Sequence, residues 1–100
     1  MRPLMYEVRY HPKIKKDLKK LDPPIREKIR NEHIPKILSV PGIGETLSGD
    51  LSGTLSYHFK IAGQQFRIAY IVNEQTKMVF VQMIAKRGDF YVLLKRRIRV

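Results

Sequence analysis

The feature of this chain that most constrains its fold is the alternation of apolar and polar residues between Tyr57 and Val72. Apolar side chains recur at every second position through Tyr57–Ile61 and again from Phe66 onward, a period of two that is typical of half-buried β-strands. Only Ala62–Gln65 separates the two segments, which is the length of a hairpin connection. With a further apolar segment downstream, this half of the chain predicts a meander of three antiparallel strands, Tyr57–Ile61, Phe66–Val72 and Met78–Ala85.

The first 21 residues predict a strand followed by a helix. Met5–Tyr10 alternates apolar and charged residues, as a strand does. Ile14, Leu18 and Leu21 then recur at i, i+4 and i+7 among charged residues, which places them on one face of a surface helix. We therefore expect this helix to bury one narrow apolar stripe.

A second helix is predicted to begin after Asp22, a good N-cap residue that two prolines follow. Pro35 lies inside this segment and lacks a backbone donor, so we expect a kink or a break there. Four of the six glycines fall within residues 42–54, which we interpret as a loop. The pair Gly88-Asp89 provides a turn and an N-cap for a terminal helix that begins at Phe90.

The predicted order of elements is β-α-α-β-β-β-α, within a single domain that spans residues 1–100. Two helices joined by a short turn pair as an antiparallel hairpin, and their apolar stripes need a sheet to cover. The fold class is therefore α+β, with the helical hairpin on one face of a small, mainly antiparallel sheet. We expect the opposite face to carry the charged side chains.

The net charge narrows the class of partner. The chain has 20 Lys and Arg against 9 Asp and Glu, a formal net charge of +11, and such a field attracts polyanions, with nucleic acid the leading candidate.

The absence of cysteine excludes disulfides and thiolate chemistry. No apolar run approaches the roughly 20 residues that cross a bilayer, so we expect a cytoplasmic protein that makes no membrane contact.

Four short motifs follow one another at suggestive intervals within this order of elements. They are Lys16–Asp22 (KDLKKLD), Leu47–Gly53 (LSGDLSG), Phe66–Tyr70 (FRIAY), and Lys86-Arg87 leading to Phe90-Tyr91. Together with the order of elements, they resemble the RelE/ParE superfamily of bacterial and archaeal toxins over nearly the whole chain. Each motif is weak alone, and the specificity comes from their combination.

The resemblance implies one of two activities. The RelE-like branch cleaves messenger RNA in the decoding site of the ribosome, whereas the ParE-like branch poisons DNA gyrase and generally lacks the RNA-cutting residues. The positions that match the RelE pattern give a candidate catalytic set of His58, Lys60, Arg67, Arg87 and Tyr91. Two departures are visible: His58 stands where the best-known RelE toxins have a lysine, and the interval from Arg87 to Tyr91 is shorter than in those toxins.

Cleavage of RNA by its own 2′-hydroxyl requires a base, cations that stabilise the phosphorane, and an acid for the leaving 5′-oxygen. His58 is the candidate base because an imidazole titrates near neutrality, and Lys60 either shares that role or holds the phosphate. Arg67 has a planar fork that matches phosphate oxygens. The resemblance assigns Arg87 to the leaving oxygen, and Tyr91 would stack on a base or bond the phosphate.

The remaining predictions concern partners. The cations expected to contact RNA phosphates are Lys13, Lys16, Lys20, Lys86, Arg96 and Arg97. No metal or other cofactor is expected, because the three histidines are scattered and no carboxylate cluster has ligand spacing. The resemblance implies a cognate acidic antitoxin, messenger RNA and the ribosome as partners, and promoter DNA only through the antitoxin complex. Two alternatives stay open: a ParE-like gyrase inhibitor without nuclease activity, and a non-catalytic nucleic-acid-binding module.

Overall fold

Five strands form one mixed sheet in the order β1-β5-β4-β3-β2. The computed structural model describes residues 6–86 and 88–98 of the chain. Within them β1 runs parallel to β5, and every other neighbouring pair is antiparallel. The predicted α+β class is confirmed, and the predicted loop at residues 42–54 contains one additional two-residue strand. The strands are β1 (Glu7–Tyr10), β2 (Glu45–Thr46), β3 (Leu55–Ile61), β4 (Gln64–Asn73) and β5 (Met78–Lys86).

The helical hairpin is built from α1 (Ile14–Lys19) and a longer second helix. This second helix consists of α2 (Pro23–Lys28), a π-helical turn (Ile29–His33) and α3 (Ile34–Ser39), which follow one another without a gap. Pro35 has no N–H to donate, and the wider π turn directly before it accommodates the missing bond. The interruption predicted at Pro35 therefore takes the form of a π turn rather than a break. The terminal helix, α4 (Phe90–Ile98), begins where the sequence predicted.

Apolar residues fill both faces of the sheet. The larger core lies between the helical hairpin and one face, where Ile37, Phe66, Ile68 and Tyr70 are fully buried. α4 packs on the opposite face, and this smaller core consists of Leu51, Ala69, Met83, Phe90 and Leu94. α4 thus covers part of the face that we expected to carry the charged side chains, and the charges occupy the remainder.

The hairpin between β3 and β4 turns over two residues, Ala62 and Gly63, rather than the four that the alternation suggested. Both have positive φ angles, 52° and 80°, as the two central residues of a type I′ turn require. This turn twists in the same sense as the strands and fixes their register from Ile61–Gln64 onward. As a result His58 lies directly opposite Arg67.

An irregularity between β4 and β5 changes which side chains of β5 face each core. Ala69 pairs with Met83 and Tyr70 pairs with Val81, so Gln82 is an extra residue on β5. Val81 and Ile84 consequently both belong to the larger core. Met83 and Ala85 belong to the face that α4 covers.

An ion pair closes the edge of β5 beyond the end of β1. β1 pairs only with Met78–Val81, so the next residues of β5 have no strand on that side within the described part of the chain. Asp17 of α1 accepts the Ile84 N–H at 3.0 Å, and Arg97 of α4 donates to the Gln82 carbonyl at 3.1 Å. Asp17 and Arg97 also bind each other through two hydrogen bonds of 2.5 and 2.9 Å. The ion pair therefore satisfies backbone groups of β5 that a neighbouring strand would otherwise bond, and it connects α4 to α1.

Gly44 lies against the buried hydroxyl of Tyr70. Tyr70 Oη accepts the Gly44 N–H at 2.9 Å and donates to the Pro41 carbonyl at 2.6 Å. A Cβ at Gly44 would stand 2.6 Å from Tyr70 Oη, whereas one at Gly42 would meet no atom within 4 Å. The Tyr70 hydroxyl is held by these two hydrogen bonds, so it would lose at least one of them if it moved away from an added Cβ.

Gly44→Ala is therefore expected to lower the free energy of unfolding by about 1–3 kcal/mol, as overpacking does. Gly42→Ala is the matched control and should change it by less than about 0.5 kcal/mol. Urea denaturation of both variants measures the difference. Equal losses in the two variants would contradict the contact with Tyr70.

Candidate functional site

Three of the five predicted catalytic residues meet on the face of the sheet that α4 partly covers. His58 of β3 and Arg67 of β4 form a directly opposed cross-strand pair, so their side chains leave the same face. The guanidinium of Arg67 lies over the ring of Tyr91, with Cζ 4.8 Å from the ring centroid, and 5.9 Å from that of Phe90. The aromatic rings of α4 therefore hold Arg67 by cation–π contact.

The described contacts of this cluster do not include the other two predicted catalytic residues, Lys60 and Arg87. Lys60 is exposed and pairs with Gln65, two positions nearer the hairpin turn than His58 and on the same face. It extends the row of cations without joining the contacts between Arg67 and Tyr91. Arg87 lies outside the described residues, so its role stays a prediction.

Two neighbours of His58 were missed by sequence reasoning. His58 Nε2 lies 3.1 Å from Ser56 Oγ and 3.6 Å from Glu45 Oε1. Ser56 is buried, at 1% exposure, and its position two residues before His58 on one strand is a signal that strand parity could have used. Glu45 gave no such signal, because it lies in a strand of two residues inside the glycine-rich loop. A carboxylate oxygen only accepts hydrogen bonds, so Glu45 favours the tautomer of His58 that carries its proton on Nε2 and leaves Nδ1 able to accept one.

The other histidines have structural surroundings. His33 is buried, its Nδ1 lies 2.8 Å from Tyr57 Oη, and its ring stacks on Phe59 with centroids 4.2 Å apart. Burial lowers the pKa of His33, which favours the neutral ring inside the core. Burial, together with Arg97 and Lys13, lowers the pKa of His11 as well. Neither residue belongs to the face that carries His58.

The cations predicted to contact RNA fall into three groups. Lys13, Lys20, Lys86 and Arg96 line one cleft between α1, the end of β5 and α4. Lys16 is exposed on α1 and does not line the cleft. Arg97 lies at the base of the cleft with a side chain only 14% exposed, and its donors are taken by Asp17 and the Gln82 carbonyl. Arg97 is therefore part of a structural ion pair, and its side chain is not free to contact a phosphate.

Nothing in the described ranges, 6–86 and 88–98, gathers three side chains of the types that bind metals. No helix within these ranges is long and apolar enough to cross a membrane. The described side chains on the sheet face offer an imidazole, a lysine, a guanidinium and a phenol, with the hydroxyl of Ser56 and the carboxylate of Glu45 beside the imidazole.

The helical hairpin on one face of this sheet and the single helix on the other define a RelE-like toxin fold. The toxin–antitoxin complex RelBE2 from Mycobacterium tuberculosis matches with a TM-score of 0.74 and 24% identity, over 84% of this chain and all of that one. A mutant of the E. coli toxin RelE in the free state matches with a TM-score of 0.71 and 21% identity, over 95% and 99% of the two chains. The isolated E. coli RelE toxin matches at 0.63 and 25% identity, over 93% and 98%.

Residues 8–95 match the family model of ParE-like toxins of type II bacterial toxin–antitoxin systems, so the chain belongs to that family. It is accordingly a toxin of a type II toxin–antitoxin module within the RelE/ParE group, as the sequence motifs indicated. Among curated protein sequences, nothing matches significantly.

Proposed function

We propose that this toxin is an endoribonuclease that cleaves messenger RNA on the ribosome by internal attack of a 2′-hydroxyl. The observation that carries the proposal is the convergence of His58, Arg67 and Tyr91 on one open face of the sheet. An imidazole beside a guanidinium is the pair that this reaction needs, a proton acceptor next to a phosphate ligand. A surface that only grips phosphates has no need of a titratable group at its centre.

His58 takes the proton from the 2′-hydroxyl through Nδ1, while Nε2 stays with Ser56 and Glu45. The 2′-oxygen attacks the neighbouring phosphorus, and the bond to the 5′-oxygen of the next nucleotide breaks. That oxygen takes up a proton from solvent, and the His58 imidazolium returns its own proton to solvent. The products are a 2′,3′-cyclic phosphate and a 5′-hydroxyl, so the step consumes no water.

Arg67 stabilises the charge that develops on the non-bridging phosphate oxygens, because its planar guanidinium bonds two of them at once. Tyr91 keeps Arg67 in place by cation–π contact and offers a ring on which a displaced base can stack. Lys60 adds a second cation along the same face. Arg87 is proposed to support the leaving 5′-oxygen on the strength of the family pattern alone.

An acidic antitoxin encoded beside the toxin is the proposed regulator. The net charge of +11 favours an acidic partner over a neutral one. Solved structures with the same fold include the RelBE2 complex and the E. coli RelBE complex, in which toxin and antitoxin are bound together. Contact with promoter DNA is proposed to occur only through the antitoxin.

The test is to map transcript ends in a bacterial translation extract after the protein is added. The expected result is new 5′-hydroxyl ends within coding sequences, with matching 2′,3′-cyclic phosphates, that appear only when ribosomes are present. Extract depleted of ribosomes is the control. Transcripts that stay intact in the complete extract would exclude the nuclease.

A second function, inhibition of DNA gyrase, is favoured by one observation: the matching family model is that of ParE-like toxins. In that case the protein is not an enzyme, and a supercoiling assay with purified gyrase should show inhibition that His58→Ala leaves unchanged. If neither cleavage nor gyrase inhibition were seen, the remaining candidate function would be that of a non-catalytic nucleic-acid-binding module.

A further inference from the structure

We propose that the cleft between α1, the end of β5 and α4 binds the backbone of single-stranded RNA, on the strand that continues from the scissile phosphate. The inference deepens the proposed function, on which the choice of RNA rests. It concerns a binding step that is separate from the chemistry at His58 and Arg67.

The cleft collects cations from three elements that are distant in sequence. Lys13 and Lys20 flank α1, Lys86 ends β5, and Arg96 lies in α4. All four side chains are exposed, and within the described part of the chain none of them forms an ion pair. Four like charges with one carboxylate among them, Asp89, that is unpaired within the described ranges, repel one another, so the arrangement indicates an anionic ligand with several charges.

The floor of the cleft suits a nucleotide rather than a simple anion. Asp17 and Arg97 neutralise each other at its base. Around this pair the floor is apolar, because Ile84, Ala85, Phe90 and Leu93 line it. An apolar surface bordered by cations is the arrangement that single strands use, with bases on the apolar part and phosphates on the rim.

Size and continuity favour a single strand of RNA over other polyanions. The cleft has a volume of about 580 Å³, which is that of a small-ligand site and fits a short stretch of single strand better than a duplex. It also adjoins the proposed catalytic face, since Ala85 pairs with Arg67 and the Phe90 ring lies 5.9 Å from the Arg67 guanidinium. A strand with its scissile phosphate at Arg67 therefore has its next phosphates beside the cleft.

Equilibrium binding of a labelled 2′-O-methyl oligoribonucleotide, measured by fluorescence anisotropy over a series of sodium chloride concentrations, tests the proposal. This probe lacks the attacking hydroxyl and cannot be cut. For single strands, each phosphate contact contributes about 0.7 to the slope of log K against log salt. Lys13→Gln/Lys20→Gln is therefore expected to weaken binding and to reduce the magnitude of that slope by about 1.4.

The matched control is Lys19→Gln/Lys36→Gln, which removes the same charge at exposed positions that do not line the cleft. Its slope should stay that of the unmodified protein. Asp89 is the one carboxylate on the rim without an ion pair in the described part of the chain, so Asp89→Asn should strengthen binding. Stronger binding by Asp89→Asn cannot come from partial unfolding, because unfolding would weaken binding.

Equal slopes in the two lysine pairs, or weaker binding by Asp89→Asn, would overturn the proposal. A glutamate-rich peptide that binds the cleft in preference to the oligonucleotide would overturn it too, and would assign the cleft to a protein partner. Because the probe is not cleaved, a failure here leaves the nuclease proposal standing. Intact transcripts in the extract, combined with binding through the cleft, would refute the nuclease alone.

Discussion

Replacing Asp17 by alanine is expected to lower the free energy of unfolding by about 3–5 kcal/mol, the cost of leaving a buried charge without its partner. Asp17 is 7% exposed, and its carboxylate binds both terminal nitrogens of Arg97. The same carboxylate accepts the Ile84 N–H on the open edge of β5. Alanine therefore leaves the Arg97 charge without its carboxylate and the Ile84 N–H without an acceptor. Urea denaturation monitored by circular dichroism measures the loss.

The matched control for this loss is Asp50→Ala. Asp50 pairs with Lys95 at 3.9 Å, but the two side chains are 72% and 49% exposed, and an exposed pair contributes less than about 1 kcal/mol. Asp17→Ala/Arg97→Met should recover part of the stability, because the second substitution removes the unpaired charge. If Asp17→Ala lowered the free energy of unfolding no more than Asp50→Ala does, Asp17 would not stabilise the edge of β5.

The ion pair links stability to the proposed site. Arg97 lies in α4, the helix that carries Tyr91 against Arg67. Loss of Asp17 removes the tie between α4 and α1 without altering any residue on the catalytic face. Asp17→Ala is thus expected to weaken the contact between Tyr91 and Arg67 as well as to destabilise the fold.

Arg67→Ala is expected to reduce the rate of transcript cleavage by about 10²–10³-fold, the usual effect of removing one group that stabilises a transition-state oxyanion. The residue pairs across the strands with His58 and stacks on Tyr91. Alanine removes the charge and both donors of the fork, while the fold should persist because the guanidinium occupies neither core. The measurement is the rate of appearance of 5′-hydroxyl ends in the translation extract.

Two variants separate the charge of Arg67 from its geometry. Arg67→Lys keeps the charge but loses the planar fork, so it should restore only part of the rate. Arg30→Ala is the control, since Arg30 is exposed in the helical hairpin, away from the sheet face, and it should cleave at the normal rate. Cleavage by Arg67→Ala at the rate of Arg30→Ala would refute the site.

The sequence predicted the parts of the fold that depend on local periodicity. The alternation through His58, Lys60 and Arg67 identified two strands and the face that these residues share, because successive side chains of a strand point to opposite faces. The spacing of Ile14 and Leu18 identified α1 in the same way, although this helix ends at Lys19 and the buried Leu21 lies beyond it. The motif order also identified the family that the match over residues 8–95 shows.

The edge of β5 and the surroundings of His58 could not be predicted in this way. Asp17 was one of many charged residues in the predicted first helix, and Arg97 was predicted to contact RNA phosphates. Their pairing joins residues 80 positions apart, and no local pattern reports a contact at that separation. Glu45 was missed for a different reason, since a two-residue strand has no period to detect.

The sequence by itself determined the longer strands and the helices of this protein, its family, and the sharing of one strand face by His58 and Lys60. All of these follow from the chain's periodicity and motif order. The tertiary structure decided how these parts meet. The two-residue turn at Ala62 and Gly63 set His58 opposite Arg67, and the extra residue at Gln82 turned Ala85 toward α4. A shift of one residue in either place would send the side chains to the other face, and strand register depends on turn geometry and packing that the sequence pattern does not specify.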